Sequence, residues 1–248
     1  MVEHRRSALR TAVVWDVLEV ELAGLGGAGR VVDLGGGTGG FAVRVAEQGH
    51  RVTVVDPSPD ALAALDRRAA EAGVVESVRG MQGDASDLSR LVADGSVDGQ
   101  VDMVVCHGVL EVVDDPGSAL DAMAAVLRPD GVLSVVVAGR VAAALARALA
   151  GHFDQARALL GATVEQWDLR TQGQRRYTRD EAVVLLRAHG FDLQTVHAVR
   201  VFTDLVPSAL VDTEPGAAAA LLALERAAAD VSELAAVASQ LHLLARRA

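Results

Sequence analysis

A glycine-rich stretch between residues 31 and 40 contains the residue types that most directly indicate chemistry. It reads Val-Val-Asp-Leu-Gly-Gly-Gly-Thr-Gly-Gly, an apolar strand that leads into a turn and then into a helix from about Phe41. Five of the six residues from 35 to 40 are glycine. Because glycine has no Cβ, it lets a ligand approach the backbone closely and adopts positive φ angles without steric conflict. The N–H groups at the start of the helix would face such a ligand. The stretch therefore predicts a nucleotide-type cofactor site at the carboxyl edge of the first strand.

These glycines fit two cofactor patterns at once. Gly35, Gly37 and Gly40 form G-x-G-x-x-G, the fingerprint of dinucleotide sites. Residues 33–39 also form D-x-G-x-G-x-G, a pattern typical of sites for S-adenosylmethionine (SAM). The glycines alone leave both cofactors open, and Asp33 favours SAM because the cationic amino-acid end of SAM needs an acidic or acceptor-rich edge.

Acidic residues follow the next two predicted strands. Asp56 ends the second strand, where an acid accepts hydrogen bonds from both ribose hydroxyls of a nucleoside. Asp84 and Asp87 frame a loop after the third strand, and we expect Asp87 to accept a hydrogen bond from an adenine amino group while Leu88 or Ala85 stacks on the ring. Helix capping is the alternative role for both acids, because Asp is a common N-cap.

His107 directly follows the fourth predicted strand, where the site should open. We expect it to contact the cofactor or the substrate, and not to act as a base. Cys106 should be buried in the strand and inert. Glu111 and the adjacent Asp114 and Asp115 suit helix capping, so we assign no catalytic acid or base. The histidines have no metal-ligand spacing, and we expect no metal site.

Several arginines lie outside the predicted sheet. They are Arg170, Arg175, Arg176, Arg179 and Arg200. One interpretation is a solvated face. The other is an anion-binding wall for an acidic or phosphate-bearing substrate, since arginine makes forked contacts with such groups. The sequence leaves both interpretations open.

Length, charge and composition exclude several classes of protein. The 248 residues are 51% hydrophobic and carry a formal net charge of −10, which argues against broad nonspecific binding of nucleic acid. All 23 basic residues are arginine, and the single cysteine excludes an internal disulfide. No apolar run reaches membrane-spanning length and no signal-type core follows the N-terminus, so we expect a soluble cytoplasmic protein without a membrane partner.

Strands and helices alternate along the first part of the chain, which predicts a mostly parallel sheet covered by helices on both faces. The predicted strands are Arg30–Leu34, Arg51–Val55, Ser77–Met81, Val101–Cys106, Val132–Ala138 and Phe191–Phe202. Residues 7–22 fit a helix, 97–99 a loop, 128–131 a turn, and 239–246 either a final strand or a helix. We divide a single domain of residues 1–248 into an N-terminal cap helix (1–24), a cofactor-binding core (30–138), a cap segment (139–190) and C-terminal strands and helix (191–248).

Five stretches together resemble the motifs of class I SAM-dependent methyltransferases. They are VDLGGGTG (32–39), VVDPS (54–58), GDASDL (83–88), VDMVVCH (101–107) and LRPDGVL (127–133). The resemblance implies an α/β, Rossmann-like, doubly wound sheet of seven strands with a small helical cap, SAM as the cofactor, and methyl transfer as the reaction. The cofactor-binding residues that we expect in these motifs are Asp33, Gly35, Gly36, Gly37, Asp56, Pro57, Asp87, Leu88 and His107.

Further stretches are similar to the bacterial tRNA carboxymethoxyuridine methyltransferases, which esterify the carboxylate of a modified wobble uridine. They are LRTAVVW (9–15), HGVLEVV (107–113), GHFD (151–154), YTRD (177–180) and VRVFTD (199–204). This resemblance implies that Arg10 contacts the carboxylate of SAM and that tRNA is a partner. It places Arg200, Tyr177 and Arg176 on the substrate side.

Two other classes of protein stay open. A small-molecule O- or N-methyltransferase would use the same cofactor residues on a small acidic metabolite, which suits the acidic charge. A non-catalytic module would bind SAM without turnover.

Overall fold

The computed structural model describes residues 2–93 and 100–248, with all of their side chains except those of residues 2–8 and 208. The loop expected at 97–99 lies outside the described residues. The helices are α1 Val2–Gly24, α2 Gly40–Glu47, α3 Pro59–Ala72, α4 Leu88–Ala93, α5 Pro116–Val126, α6 Arg140–Leu149, α7 Phe153–Gly161, α8 Leu169–Gln172, α9 Arg179–Ala188, α10 Ser208–Thr213, α11 Ala217–Ala229 and α12 Ser232–Ala235. The strands are β1 Arg30–Leu34, β2 Arg51–Asp56, β3 Val78–Gln82, β4 Val101–His107, β5 Leu127–Ala138, β6 Phe191–Val199 and β7 Gln240–Arg247.

These strands form one mixed sheet in the order β3-β2-β1-β4-β5-β7-β6, which confirms the predicted seven-stranded α/β fold. β1 is parallel to β2 and to β4, and the order reverses between β1 and β4. The register pairs Leu34 with Val55 of β2 and with Cys106 of β4. The glycine loop after β1, Asp56 at the end of β2 and His107 at the end of β4 therefore lie at the same edge of the sheet. Such a switch point is where open α/β sheets bind ligands.

Local sequence explains how the helices next to this edge begin. Ser58 caps α3 through a side-chain hydrogen bond, with Pro59 in the first helical position. Asp115 caps α5 by accepting hydrogen bonds from the backbone N–H groups of Gly117 and Ser118. Both caps satisfy N–H groups that a helix start leaves without partners.

Three other boundaries differ from the predictions or decide between them. The first helix spans residues 2–24 instead of 7–22. The segment that fitted either a strand or a helix near the C-terminus is strand β7. β6 ends at Val199, so the prediction that Arg200 lies inside a strand is wrong, and this residue belongs to the turn that follows.

The turn expected at residues 128–131 is part of strand β5. Arg246 donates a hydrogen bond to the carbonyl oxygen of Asp130 at 3.1 Å, and Arg247 donates one to the carbonyl oxygen of Leu127. These partners are more than a hundred residues away in the chain, so no local pattern predicts these contacts. Within the segment, Asp130 keeps a φ of 58°.

Two compact units make up the chain. The first unit consists of residues 1–19, 136–183 and 195–243, and the second of residues 20–135, 184–194 and 244–248. Strands β1–β4 and the glycine loop belong to the second unit, whereas Arg10, Tyr177 and Arg200 belong to the first. The division into one domain with four segments stays a prediction. Of the helices in residues 2–93 and 100–248, none combines the length and the apolarity needed to cross a membrane.

Candidate functional site

In the glycine loop of the second unit, residues with a Cβ would be strained by the backbone conformation or would clash with neighbouring side chains. Gly35 has a φ of 70°, and a Cβ there would clash with the side chain of Val109. A Cβ on Gly36 would clash with the carboxyl group of Asp33. The N–H of Gly35 donates to the carbonyl oxygen of Val55 at 2.8 Å, so the loop starts directly against the end of β2. The glycines therefore let the loop lie tightly over the strand ends.

Asp33 lies under this loop and is almost completely buried, with 3% of its surface exposed. Its Oδ2 atom has no hydrogen-bond partner among the described residues. Burial, helped by the negative charge of Asp56, raises the pKa of Asp33 to about 7. A buried oxygen without a partner destabilises the folded state unless a donor satisfies it, so this atom is suited to a ligand that brings an N–H group or a positive charge.

Replacing Asp33 with asparagine is expected to remove a pH dependence from the stability of the fold. The pKa of Asp33 is about 7 in the folded state against an ordinary value of 3.8, so the folded chain binds more protons between these values. Its contribution to stability is thus fully present below pH 3.8 and is lost as the pH rises through about 7. The Tm of Asp33→Asn should therefore rise relative to wild type between pH about 5 and about 8. Thermal denaturation at both pH values measures this, with the exposed Asp60→Asn as control; an Asp33→Asn difference that does not change with pH contradicts the assignment.

Asp56 fastens the glycine loop to the end of β2. Its Oδ2 accepts a hydrogen bond from the N–H of Gly37 and its Oδ1 accepts one from the N–H of Ser58, both at 2.9 Å. Each carboxylate oxygen has a second acceptor position, so ribose hydroxyls can bind without displacing these bonds. Pro57 is exposed beside it, and its carbonyl oxygen accepts a hydrogen bond from Gln82.

The two acids after β3 form a capping box around a short 3₁₀ helix, Ala85–Asp87. Asp87 Oδ2 accepts from the N–H of Asp84 at 3.1 Å, and its Oδ1 pairs with Arg90 at 2.9 Å. The hydrogen bond from Arg90 is the main reason why the pKa of Asp87 is lowered. Leu88 is fully buried. Capping, the alternative role from the sequence, is thus present, and the adenine contacts of Asp87 and Leu88 stay predictions.

His107 is a neutral side chain at the end of β4. Its Nε2 lies 2.8 Å from Ser134 Oγ, and its ring meets Phe41 edge-on with 5.8 Å between the ring centroids. Burial lowers the pKa of His107 to about 3. Burial also raises the pKa of the Cys106 thiol. Neither group carries a charge at neutral pH, so His107 is suited to contact a ligand and not to accept a proton in a reaction.

Arg10 and Arg200 share one carboxylate within the first unit. Arg200 Nη2 donates to Asp204 at 2.8 Å, and Arg10 Nη2 lies 3.9 Å from Asp204 Oδ1. Arg200 has a φ of 58°, and its Nε is buried without a hydrogen-bond partner among the described residues. The sequence assigned the two arginines separately, one to the cofactor and one to the substrate. Asp204 had no assigned role, although its spacing of four residues from Arg200 was visible in the VRVFTD stretch.

A second functional candidate that the sequence reasoning missed is Glu225 on α11. It is 1% exposed, and its carboxylate accepts hydrogen bonds from the backbone of the turn after Arg200. Its position in an alanine-rich helix offers no signal except an isolated acid on an otherwise apolar face.

Tyr177 is buried, and its backbone joins the end of β5. Its N–H donates to the carbonyl oxygen of Ala138, and its own carbonyl oxygen accepts from the N–H of Arg140, both at 2.9 Å. Arg140 is also buried and pairs with Glu181 at 2.7 Å. Arg176 is half-buried.

The five arginines outside the sheet do not share one environment. Arg175 is buried, Arg170 and Arg179 are exposed, and Arg200 is held by Asp204. Neither a uniform solvated face nor a uniform anion-binding wall describes them. The described part of the chain contains no group of His, Cys, Asp or Glu side chains arranged to hold a metal ion.

Comparison with known proteins agrees with this geometry. A family profile described as a methyltransferase domain matches residues 31–131. The chain is 33% identical over 202 residues to the tRNA 5-carboxymethoxyuridine methyltransferase of Escherichia coli (strain K12). The aligned region covers 80% of this chain and 74% of that protein. It is also 33% identical over 132 residues to a ubiquinone biosynthesis O-methyltransferase of Xanthomonas euvesicatoria. That aligned region covers 53% of this chain and 51% of that protein. A solved S-adenosylmethionine-dependent methyltransferase from Mesorhizobium loti has the same fold, with a TM-score of 0.60 and 19% identity over 96% of this chain and 100% of that chain.

The sheet order, the glycine loop at the switch point and these matches define a class I SAM-dependent methyltransferase. The chain belongs to the family of the Escherichia coli tRNA 5-carboxymethoxyuridine methyltransferase. SAM is its cofactor, so the dinucleotide alternative and the non-catalytic module are set aside. The residues present fit this cofactor, because the buried Asp33 Oδ2 needs a donor and the glycines leave room for a ligand against the backbone.

Proposed function

We propose that this enzyme methylates the carboxylate of 5-carboxymethoxyuridine at the wobble position of tRNA, forming the methyl ester. The name of the Escherichia coli relative supports this acceptor. The structural observation that carries the proposal is Arg200, whose side chain is 24% exposed and pairs with Asp204. Its Nε is buried without a partner among the described residues. A planar guanidinium matches the geometry of a carboxylate acceptor. Tyr177 and Arg176 are proposed to line the acceptor side.

The roles proposed for the cofactor residues combine the contacts of these residues with the resemblance to class I methyltransferases. Asp56 accepts the ribose hydroxyls while it holds the glycine loop in place. Asp33 stabilises the cationic amino-acid end, and Arg10 binds the carboxylate of that end. His107 contacts the cofactor as a neutral imidazole. The backbone of Gly35, Gly36 and Gly37 forms the surface against which the cofactor lies, and Pro57, Asp87 and Leu88 complete the nucleoside contacts.

This set of residues needs no general base. When bound, SAM supplies a methyl group that its sulfonium has already activated. A carboxylate acceptor is deprotonated at neutral pH, so its oxygen would bond to the methyl carbon as the bond from that carbon to sulfur breaks, S-adenosylhomocysteine would leave, and no proton would have to be removed. The neutral state of His107 agrees with this requirement. The work left to the chain is to bind both reactants, align them and exclude water.

The acceptor is tested with purified protein, SAM and tRNA that carries 5-carboxymethoxyuridine. We expect nucleoside mass spectrometry to show the free acid converted into its methyl ester, and the ester to be lost from the tRNA of a host that lacks the gene. An unchanged nucleoside profile in both experiments would refute the tRNA acceptor while leaving the SAM-dependent activity intact.

A small acidic metabolite is the second candidate acceptor. It is favoured by the net charge of −10, which repels the phosphate backbone of a nucleic acid, and by the similarity to a ubiquinone biosynthesis O-methyltransferase. If tRNA is not methylated, a panel of small carboxylic acids and phenols with radiolabelled SAM tests this alternative directly.

A further inference from the structure

Glu225 binds the backbone of the turn that follows Arg200. Its Oε2 accepts from the N–H of Val201 at 3.0 Å. Its Oε1 accepts from the N–H of Phe202 at 2.9 Å, and from both the N–H and the hydroxyl of Thr203 at 2.6 Å. Three consecutive backbone N–H groups therefore converge on a single buried carboxylate. In the absence of Glu225, these donors would have no strand partner, because β6 has already ended.

The turn held in this way includes a residue in an unfavourable conformation. Arg200 has a φ of 58°, in the left-handed region that residues with a Cβ adopt rarely. Such a conformation persists only where the surrounding structure enforces it, and it is frequent at functional sites. The hydrogen bonds from the next three residues to Glu225 supply that enforcement.

The same turn determines which charges meet. Asp204 directly follows Thr203. Its carboxylate accepts a hydrogen bond from Arg200 Nη2 at 2.8 Å and lies 3.9 Å from Arg10 Nη2. A change in the path of the turn would move Asp204 and Arg200 together and would separate them from Arg10.

We propose that Glu225 is a positioning residue that holds the turn of residues 200–204 and thereby aims Arg200 at the carboxylate of the acceptor. The inference rests on the acceptor-side role of Arg200 in the proposed function. Glu225 is not a catalytic residue, since it is buried and both of its carboxylate oxygens are bonded to the turn. Its effect on the reaction is exerted through Arg200.

Helix α11 makes a second charged contact, which does not involve the turn of residues 200–204 and so provides a control for the role of Glu225. The neighbouring residue on α11, Arg226, makes a forked ion pair with Asp16 of α1, at 2.7 and 2.9 Å. This pair attaches α11 to the rest of the first unit without involving the turn. Asp16→Asn therefore removes a charged contact of the same helix and leaves the turn unchanged, which makes it the matched control.

The first experiment compares Glu225→Gln with this control. A carboxamide has one acceptor oxygen, and its NH₂ group would face backbone N–H donors, so the turn should loosen. We expect kcat/KM for tRNA carrying 5-carboxymethoxyuridine to fall at least tenfold, with the SAM Kd from calorimetry unchanged within about twofold. Asp16→Asn should retain the wild-type kcat/KM.

A double-mutant cycle shows whether Glu225 acts through Arg200. If it does, adding Glu225→Gln to Arg200→Ala lowers kcat/KM no further than Arg200→Ala alone. If the two effects multiply, Glu225 acts independently and the inference is overturned. Should Glu225→Gln fold poorly, Thr203→Val removes a single hydrogen bond to the same carboxylate and should lower kcat/KM in the same direction, whereas a wild-type value would count against the inference.

Hydrogen exchange in the free enzyme separates this inference from the proposed function. The amides of residues 201–203 should be protected in wild type and should exchange faster in Glu225→Gln, with exchange elsewhere unchanged. If the wild-type enzyme methylates no such tRNA, the proposed function fails and the exchange result alone decides. Faster exchange confined to the turn then supports the hold of Glu225 on the turn of residues 200–204, and unchanged exchange overturns it.

Discussion

Asp56→Ala is expected to weaken SAM binding at least tenfold, which corresponds to about 1.4 kcal/mol or more. The substitution removes the acceptor proposed for the ribose hydroxyls. It also removes the partner of the Gly37 N–H, which holds the glycine loop, and of the Ser58 N–H, which precedes α3. Because the binding partner and the support of the loop are lost together, we expect a larger effect than for any other single acid in the second unit. Isothermal titration calorimetry with SAM measures it.

Asp60→Ala is the control for this experiment, because it deletes an exposed carboxylate four residues away in the first turn of α3. Asp56→Asn adds a finer test. It keeps one acceptor oxygen and should therefore bind SAM with an affinity between those of wild type and Asp56→Ala. An Asp56→Ala protein that folds normally and binds SAM as tightly as wild type would show that the cofactor has been placed at the wrong strand end.

Arg200→Ala is expected to lower kcat/KM for the acceptor by about a hundredfold, or about 2.7 kcal/mol, while SAM affinity changes little. The guanidinium makes the charge-assisted contact that we propose for the acceptor carboxylate, and its removal also leaves Asp204 with only the more distant Arg10 as a counter-charge. Both effects act against an anionic acceptor. Steady-state kinetics with tRNA carrying 5-carboxymethoxyuridine, together with calorimetry for SAM, separates the two substrates.

Two other arginines of the first unit make the comparison specific. Arg157→Ala removes an exposed arginine of α7 whose side chain is 86% accessible, and it should leave kcat/KM unchanged. Arg10→Ala should show the opposite pattern to Arg200→Ala, with weakened SAM binding. If Arg200→Ala turns over limiting acceptor at the wild-type rate, Arg200 has no role on the acceptor side.

Because the chain is negatively charged overall, the positions of individual arginines decide how it can recognise the proposed acidic acceptor. A chain with a net charge of −10 binds a polyanion poorly through its average field, so recognition of an acidic acceptor must depend on a few positioned cations. Arg200 Nη2 and Arg10 Nη2 lie 2.8 and 3.9 Å from the carboxylate of Asp204, which keeps these two cations together. The salt dependence of acceptor binding should therefore be modest compared with that of a basic nucleic-acid-binding protein.

Features encoded by neighbouring residues could be predicted from the sequence alone. The glycine loop, the acid that ends β2, and the alternation of strands and helices all depend on residues a few positions apart, and the structure agrees with each of them. The start of α5 at Asp115 belongs to the same group, because a cap is formed by a side chain and the N–H groups two or three residues later. The cofactor class was decided by combining several such motifs.

Only the tertiary structure decided the features that depend on distant residues. Arg10 and Arg200 meet at Asp204 although about 190 residues separate them in the chain, and Glu225 reaches the turn at 201–203 from a different helix. The pKa of Asp33 depends on how deeply the fold buries it and on the charge of Asp56, and neither quantity is present in the local pattern. The sequence by itself thus determined the alternation of strands and helices and the cofactor loop, because these arise from short-range patterns. The tertiary structure decided how the charged side chains are paired, because burial and ion pairing depend on which distant segments the fold brings together.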